Sequence, residues 1–458
     1  MNIRDKKYTI DMTTGPILGK LLRFILPLAL SGMLQLFYNA ADIIVVGRYA
    51  GSTSLAAVGS TGALVNLLVN LFVGLSVGAS VITAQYFGAR RDEDVSETVH
   101  TAMLLGLIGG VIVGVIGLAA ARPLLHLMAS PDDVIDLSAL YLRIIFLGMP
   151  AQMIYNFGSS ILRAVGDTRR PLYFLAFSGA VNVLLNLLFV IVFDMDVAGV
   201  ALATIISQIL SALLVVQCLI RSDGSFKLRL HGLCIKKDKL FQLIRIGLPA
   251  GLQGIVFSLS NMLIQSSVNS FGSVVMAGNA AAGNLEGFIY NAQNSVYQGA
   301  LTFTGQNVGA KKYERISRIC LTSLLTVSTI GIVMGLTAYA FGPTLLGIYD
   351  PDPNVISYGM IRLRVFGYTY FLCGVMEVFV GMLRGMGCSF LPMVVSLLGS
   401  CVLRIIWIYT VFAVFHTLNI LYISYPVSWL ITAGTHFICY LVIRKRLIRR
   451  AGLPSQSC

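Results

Sequence analysis

Long apolar runs, broken by short clusters of Gly, Pro and charge, recur along the whole chain. They fall near residues 17–46, 53–85, 95–120, 135–163, 170–193 and 197–220, and again near 240–270, 274–305, 315–341, 355–384, 391–415 and 419–443. None alternates polar and apolar positions as a membrane barrel strand would. A hydrocarbon layer about 30 Å thick takes roughly 20 residues of helix, and a helix satisfies its own backbone hydrogen bonds in lipid. The pattern predicts an all-α polytopic membrane protein with twelve transmembrane helices.

An internal repeat divides these helices into two sets of six. Gln85, Gly88, Ala89, Arg90 and Arg91 reappear as Gln306, Gly309, Ala310, Lys311 and Lys312 at an offset of 221. The same offset carries Leu162, Arg163, Gly166 and Pro171 to Leu383, Arg384, Gly387 and Pro392, whereas Pro27, Gly32 and Asn39 reach Pro249, Gly254 and Asn261 at 222. One residue of slip near Gly51 reconciles the two offsets. Gln, Arg and Pro are scarce on lipid-facing helices, so chance alignment of greasy sequence does not account for the match. Six is an even number, so both halves enter from the same side as parallel copies, an organisation suited to alternating access around a midplane site. The predicted domains are an N-terminal six-helix bundle over 1–220, a basic cytoplasmic linker over 221–239 and a C-terminal six-helix bundle over 240–458. Pro27 and Pro249 are expected kinks, and the GxxxG spacing of Gly106, Gly110 and Gly114 is expected to mark close helix packing.

Composition and charge add orientation. At 56% hydrophobic and 12% charged residues, with a mean hydropathy of +0.82, the 458 residues hold no soluble catalytic domain once twelve helices are counted. Of 33 Lys and Arg, 22 lie in the tails and alternate loops of one side, against only Arg48 and Arg122 in the loops of the other. The positive-inside rule then predicts that both termini are cytoplasmic. The polar stretch Met1–Thr14 lacks the apolar core of a signal peptide, so the first apolar segment is expected to be retained. The eight cysteines, from Cys218 to Cys458, include no CxxC pair and are expected to be reduced packing residues.

Three of the 20 acidic residues, Asp42, Glu286 and Glu377, fall inside apolar segments. An ionised acid there costs roughly 2.5–3.5 kcal/mol on insertion scales, which makes a functional role the default. In the first helix Gln35, Asn39 and Asp42 share one face. Asn182 and Asn186 sit one turn apart in the fifth helix, and Thr204 follows a run of small residues in the sixth. Asp42, Asn39, Asn182, Asn186 and Thr204 could coordinate Na+, a hard cation that prefers oxygen, or hold a carboxylate that exchanges a proton. Asn and Thr also serve as interhelical hydrogen-bonding glue, and the carboxylate is what favours an ion site. A second polar stripe, Glu286, Tyr290, Asn294 and Tyr297 in the eighth helix, would suit an organic cation through charge pairing and cation–π attraction, as would Glu377 with Tyr370 in the tenth. The tyrosines could equally be packing residues or interface anchors.

Several chemistries are absent from the sequence. Gly15-Pro-Ile-Leu-Gly19-Lys20-Leu21 has three residues between its glycines and Leu where a phosphate loop needs Ser or Thr. The five histidines are scattered, and neither HExxH nor a G-x-S-x-G elbow occurs. No cofactor is expected beyond Na+ at Asp42, Asn182 and Thr204, and no enzymatic activity. A pump without nucleotide chemistry draws on an ion gradient.

The sequence resembles the multidrug and toxic compound extrusion (MATE) family over nearly all of its length. The resemblance is carried by Gly15-Pro-Ile-Leu with Pro27, Asn39-Ala-Ala-Asp42 leading to Val46-Gly47, Gln85-Tyr-Phe-Gly88-Ala89 and Leu162-Arg163-Ala-Val-Gly166-Asp167. Their second-half counterparts are Gly305-Gln306-Asn307-Val-Gly309-Ala310 and Leu383-Arg384-Gly-Met-Gly387. It implies a bacterial inner-membrane antiporter built of two six-helix bundles, exporting amphipathic, often cationic compounds in exchange for Na+ or H+. It also implies that Asp42 is the functional acid of the first helix, Asn182 an ion-site amide and Thr204 a hydroxyl ligand. Asn186 departs from the family pattern, where many relatives have Asp, and Ser258 and Ser260 stand where some branches place Glu.

The expected function is therefore cation-coupled multidrug antiport by alternating access. Asp42, Asn39, Asn182, Asn186 and Thr204 would couple the ion; Gln35, Glu286, Tyr290, Asn294, Tyr297, Glu377 and Tyr370 would meet the substrate. One chain contains the whole pathway and is expected to act as a monomer, without nucleic acid. The alternative is a lipid-linked saccharide flippase of the same superfamily. Its cavity should be cationic, whereas acids are the charges that stand out within the apolar segments here.

Overall fold

The computed structural model describes residues 8–127 and 132–450; the outermost tails, with Cys458, lie outside the described residues. Twelve helical segments follow one another: α1 (Ile17–Val45), α2 (Gly51–Gly88), α3 (Asp92–Leu127), α4 (Asp132–Leu147 and Met149–Ala164), α5 (Arg169–Leu187) and α6 (Asp196–Arg221). The second set is α7 (Lys237–Asn269), α8 (Ser273–Gly309), α9 (Tyr313–Ala340), α10 (Pro353–Thr369 and Phe371–Gly385), α11 (Phe390–Phe415) and α12 (Leu418–Arg450). Nine are long and apolar enough to cross a membrane, and the bent pairs in α4 and α10 raise the number to eleven. The twelfth is α8, whose 37 residues are ample in length but whose sequence carries Asn279, Asn284, Glu286, Asn291, Gln293 and Asn294. The all-α, twelve-helix expectation holds, and the helix that falls short of the apolar length for a span is the one with the long polar stripe.

Pro27 and Pro249 lie inside helices that continue through them, and the two bends of more than 40° at helix breaks are elsewhere. They fall at 47° in α4 and 49° in α10, around Gly148 and Tyr370. In α4 the break is followed by Pro150, which has no N–H to continue the ladder. In α10 the Tyr370 carbonyl is 3.5 Å from Gly374 N, and Cys373 N at 3.0 Å and the buried Gln293 amide at 3.2 Å serve it instead. A side chain from a neighbouring helix thus satisfies the backbone group that the bend frees, as a membrane interior requires.

The one-residue slip in the repeat has a local cause. Gly51 and Gly272 open α2 and α8 with matching φ of +89° and +97°, a backbone conformation in practice reserved for Gly. From Asn39 to Gly51 the first copy has one residue more than the second has from Asn261 to Gly272. That stretch contains the π-helical turn Val46–Ala50, and a single-residue insertion is what converts an α turn into a π turn.

The chain forms two compact units. One joins the described residues up to Asp11 with Leu30–Gly251; the other joins Met12–Ala29 with Leu252 onward. These limits differ from a division at the 221–239 linker, because α1 and α7 each change unit two residues after their prolines. Within the first unit, Gly74 and Gly78 of α2 meet Gly247 and Gly251 of α7 so closely that a Cβ on Gly78 would lie 2.4 Å from the Leu243 carbonyl oxygen. The linker is docked as well: Phe226 and Leu228 are buried, Lys239 pairs with Asp94, and Lys236 lies 3.4 Å from Glu97. Within the second unit the start of α1 packs on α8, with Leu21 and Ile25 against Gly299 and Phe24 edge-on to Phe303. The Gly106, Gly110 and Gly114 stripe of α3 meets Phe157, Pro150 and Phe146 of α4, as its spacing predicted.

Gly78→Val should destabilise the first unit by about 1–3 kcal/mol through overpacking, whereas Gly434→Ala, with open space around its Cβ, should be neutral. Thermal unfolding of detergent-solubilised protein separates the two; equal midpoints would refute the close α2–α7 crossing.

Candidate functional site

In the first unit, the C-terminal half of α1 brings Asp42 against α5. The Asn186 amide donates to Asp42 Oδ1 and, at 3.4 Å, to Asn182 Oδ1. Asn182 and Asn186 are buried and Asp42 half-buried. The Asn186 Oδ1 is buried with no hydrogen-bond donor. Close approach makes this possible: Gly179, two turns before Asn186, has no side chain where the Tyr38 ring lies, and the Tyr38 hydroxyl donates to the Ala176 carbonyl at 3.1 Å. Both polar helices change pitch just beyond the site, at Val46–Ala50 and Leu188–Val192. Such π turns occur preferentially at functional positions.

Every hydrogen bond that the described residues give Asp42 comes from a neutral group. Tyr141 of α4 also lies within electrostatic range of its carboxylate, a neighbour that sequence reasoning missed. Thr204 is on the adjoining helix, but its hydroxyl donates to the Val200 carbonyl at 2.9 Å, and no hydrogen bond among the described residues joins it to Asp42. Gln35 and Asn39 are exposed. Of the residues expected to act with Asp42, the structure therefore brings in Asn186 directly and Asn182 through it.

The second unit is organised differently. Glu286 is 5% exposed and is held by Arg362 of α10 through two hydrogen bonds of 2.7 Å, Nε to Oε1 and Nη2 to Oε2. The same guanidinium donates to Asn279 Oδ1, which also accepts from the Tyr422 hydroxyl at 3.0 Å. Phe366 and Tyr422 supply aromatic faces 5.0 Å and 5.7 Å from it. Glu286 thus has an internal cation. Tyr297 is buried and accepts from Arg384 at 2.7 Å, and Tyr370 is buried against Phe366 and Trp429. These three residues, expected to meet substrate, are committed to protein partners.

Glu377 has no hydrogen bond or ion pair among the described residues and is half-buried. Arg384, seven residues on, acts on it only at longer range. Tyr290 feels the same carboxylate and is 41% exposed. On α8, Asn284, Gly287, Asn291, Asn294 and Gln298 form a stripe at helical spacing with side chains at least partly accessible. Exposed amides on a membrane helix belong to a water-lined face rather than to lipid. Tyr290, Asn294 and Glu377 are the predicted substrate residues of this unit that remain accessible.

The expectation that acids dominate the membrane interior is not met in the second unit. Arg362, Arg384 and Arg404 stand there with Glu286 and Glu377. Arg384 is 6% exposed and Arg404 2%, and each keeps one buried N–H without a partner, Nε and Nη2. Arg404 is held by Ser428 at 2.8 Å and by the Tyr425 ring at 4.2 Å. The signal lay in the sequence, as Arg inside apolar runs.

Removing Glu286 leaves Arg362 buried and unpaired, so Glu286→Ala should cost about 3–5 kcal/mol of stability. Glu377→Ala removes a carboxylate without a partner and should cost under about 1 kcal/mol. Comparable losses in a thermal unfolding assay would contradict the pairing.

A family model described as MatE matches residues 27–188 and again 249–410, one match in each half of the repeat. The probable multidrug resistance protein YpnP of Bacillus subtilis is 29% identical over 401 residues, covering 86% of this chain and 88% of that protein. Multidrug export protein MepA of Staphylococcus aureus is 21% identical over 374 residues, covering 81% and 82%. Among solved structures, an outward-facing multidrug resistance MATE family transporter of the MOP superfamily superimposes with a TM-score of 0.89 at 22% identity, over 96% of this chain and 98% of that one. A Pyrococcus furiosus MOP superfamily transporter, described as having a binding pocket of reverse polarity, gives 0.88 at 22% identity over 95% and 98%.

Proposed function

The chain belongs to the MatE family as a multi-pass membrane protein, and on that premise we propose that it is a multidrug antiporter exporting amphipathic, often cationic compounds in exchange for H+ or Na+. The observation that carries the reading is Asp42: a carboxylate within the membrane whose hydrogen bond among the described residues comes from a neutral amide, that of Asn186. Such a group has no fixed counter-charge, so a mobile cation is what neutralises it. The donors suit either ion. A proton can reside on Asp42 itself, while the Asp42 and Asn182 oxygens and the unpartnered Asn186 Oδ1 are hard ligands of the kind Na+ prefers.

The cycle follows from electrostatics and linkage. With Asp42 ionised, cargo is held at the accessible face of α8, where Glu377 carries the opposite charge and Tyr290 an aromatic surface. Arrival of a cation at Asp42 removes a buried charge and changes the relative stability of the two access states, and cargo leaves. The bacterial inner membrane, with both termini cytoplasmic, is the setting in which the proton or sodium gradient drives this exchange outward. A lipid-linked saccharide flippase would need its cationic groups presented to pyrophosphate. Arg384 and Arg404 are enclosed, so the accessible charge favours a cationic cargo.

Asp42→Asn keeps the shape and removes the ionisable group. It should reduce efflux of a fluorescent organic cation from proteoliposomes at least tenfold without loss of expression, under imposed pH and Na+ gradients applied separately. Retained gradient-driven efflux would remove Asp42 from the mechanism, and the gradient that drives the wild type identifies the ion.

A further inference from the structure

We propose that Arg362 is a specificity-determining residue: a built-in cation that permanently occupies the Glu286 carboxylate, so that this acid exchanges no ion. The inference rests on the reading of Asp42 as the coupling group and adds why Glu286, enclosed in its own unit, is not a second one.

The geometry is that of an occupied site. Two parallel 2.7 Å bonds satisfy both Glu286 oxygens, and Asn279 Oδ1 accepts the remaining guanidinium nitrogen. Asn279 is in turn fixed by Tyr422 at 3.0 Å and donates to Gln265 at 3.0 Å. A bidentate fork of this kind combines charge and direction, and Arg stays protonated at any physiological pH. A mobile cation would have to displace a covalently tethered one. The pair interacts electrostatically with Tyr370, Cys373, Tyr422 and Tyr425; Glu377 acts on the same Cys373 but shares no hydrogen bond or ion pair with Glu286 or Arg362 among the described residues.

The repeat reinforces this. At an offset of 222, Asp42 corresponds to Ile264, 2% exposed in an apolar cluster with Phe366 and Trp429. At 221, Asn186 corresponds to Trp407, which packs against the same cluster. The second copy thus lacks an acid and an amide at the positions equivalent to Asp42 and Asn186, and Glu286, placed elsewhere, comes with its own counter-charge.

The two tryptophans, Trp407 and Trp429, are both in this unit. Trp429 lies 5.6 Å from the Phe366 ring, and the Arg362 guanidinium lies 5.0 Å from that same ring. Intrinsic fluorescence of the purified full-length protein therefore reports on the pair without any transport. In a Glu377→Gln background, which removes the nearby free acid, emission with Arg362 and Glu286 intact should be flat from about pH 5 to about pH 9, the span in which a freed buried carboxylate titrates. Arg362→Met should introduce a single transition in that span, and Glu286→Gln/Arg362→Met should abolish it. A transition already present with the pair intact and lost in Glu286→Gln would overturn the proposal, as would a flat profile in Arg362→Met. Should Arg362→Met fail to fold, the charge-free Glu286→Gln/Arg362→Met variant, otherwise wild type, decides alone. Its efflux and ion dependence should stay within about twofold of wild type, and a tenfold loss would show that the pair takes part in exchange. Failure of the Asp42 reading shows instead as retained coupling in Asp42→Asn, leaving the fluorescence result unaffected.

Discussion

A carboxylate placed in a membrane must be neutralised, and what neutralises it decides what its surroundings can do. Asp42 is served by the Asn186 amide and stands in a chain with Asn182, all neutral. Glu286 is served by a guanidinium. The first arrangement leaves a charge for a mobile ion to balance; the second is closed. The rest of the structure can be understood as the means of keeping these two acids in such different company.

The scaffold does this with helix irregularities more than with loops. The extra residue that sets the repeat out of register is absorbed in a π turn immediately beyond Asp42, and a second π turn follows Asn186. In the second unit, the break of α10 at Tyr370 lies between the piece carrying Arg362 and the piece carrying Glu377 and Arg384. Gln293, reaching across from α8, holds that break through the Tyr370 carbonyl. Close helix crossings at glycines, α3 on α4 and α2 on α7, supply the rigidity against which such departures are tolerated.

Much of this was legible in the chain. Hydropathy placed all twelve helices, and the offsets of 221 and 222 exposed the duplication because Gln, Arg and Pro recurred at fixed spacing. The family resemblance put Asp42 and Asn182 in one expected ion site, and a one-turn spacing put Asn186 beside Asn182. What spacing could not show was partnership between helices distant in sequence: Glu286 and Arg362 are 76 residues apart, and no periodicity connects them. The breaks of α4 and α10 were hidden because the apolar runs continue through Gly148 and Tyr370. The change of unit inside α1 and α7 was hidden because it depends on which glycines meet, not on where polar sequence interrupts the chain. Tyr297 and Tyr370 looked like cargo contacts for a similar reason, since a helical face does not reveal whether it opens on water or on another helix.

The central claim is that Asp42 exchanges its counter-ion while Glu286, paired with Arg362, does not. The most direct measurement is the number of cations released per chain when a saturating organic cation binds the purified protein, read by a pH indicator in weak buffer and, in parallel, by displacement of radioactive Na+. The account predicts that release falls by one cation equivalent per chain when Asp42 is replaced by Asn and is unchanged in Glu286→Gln/Arg362→Met. Release that survives the first replacement, or that falls in the second variant, would contradict it.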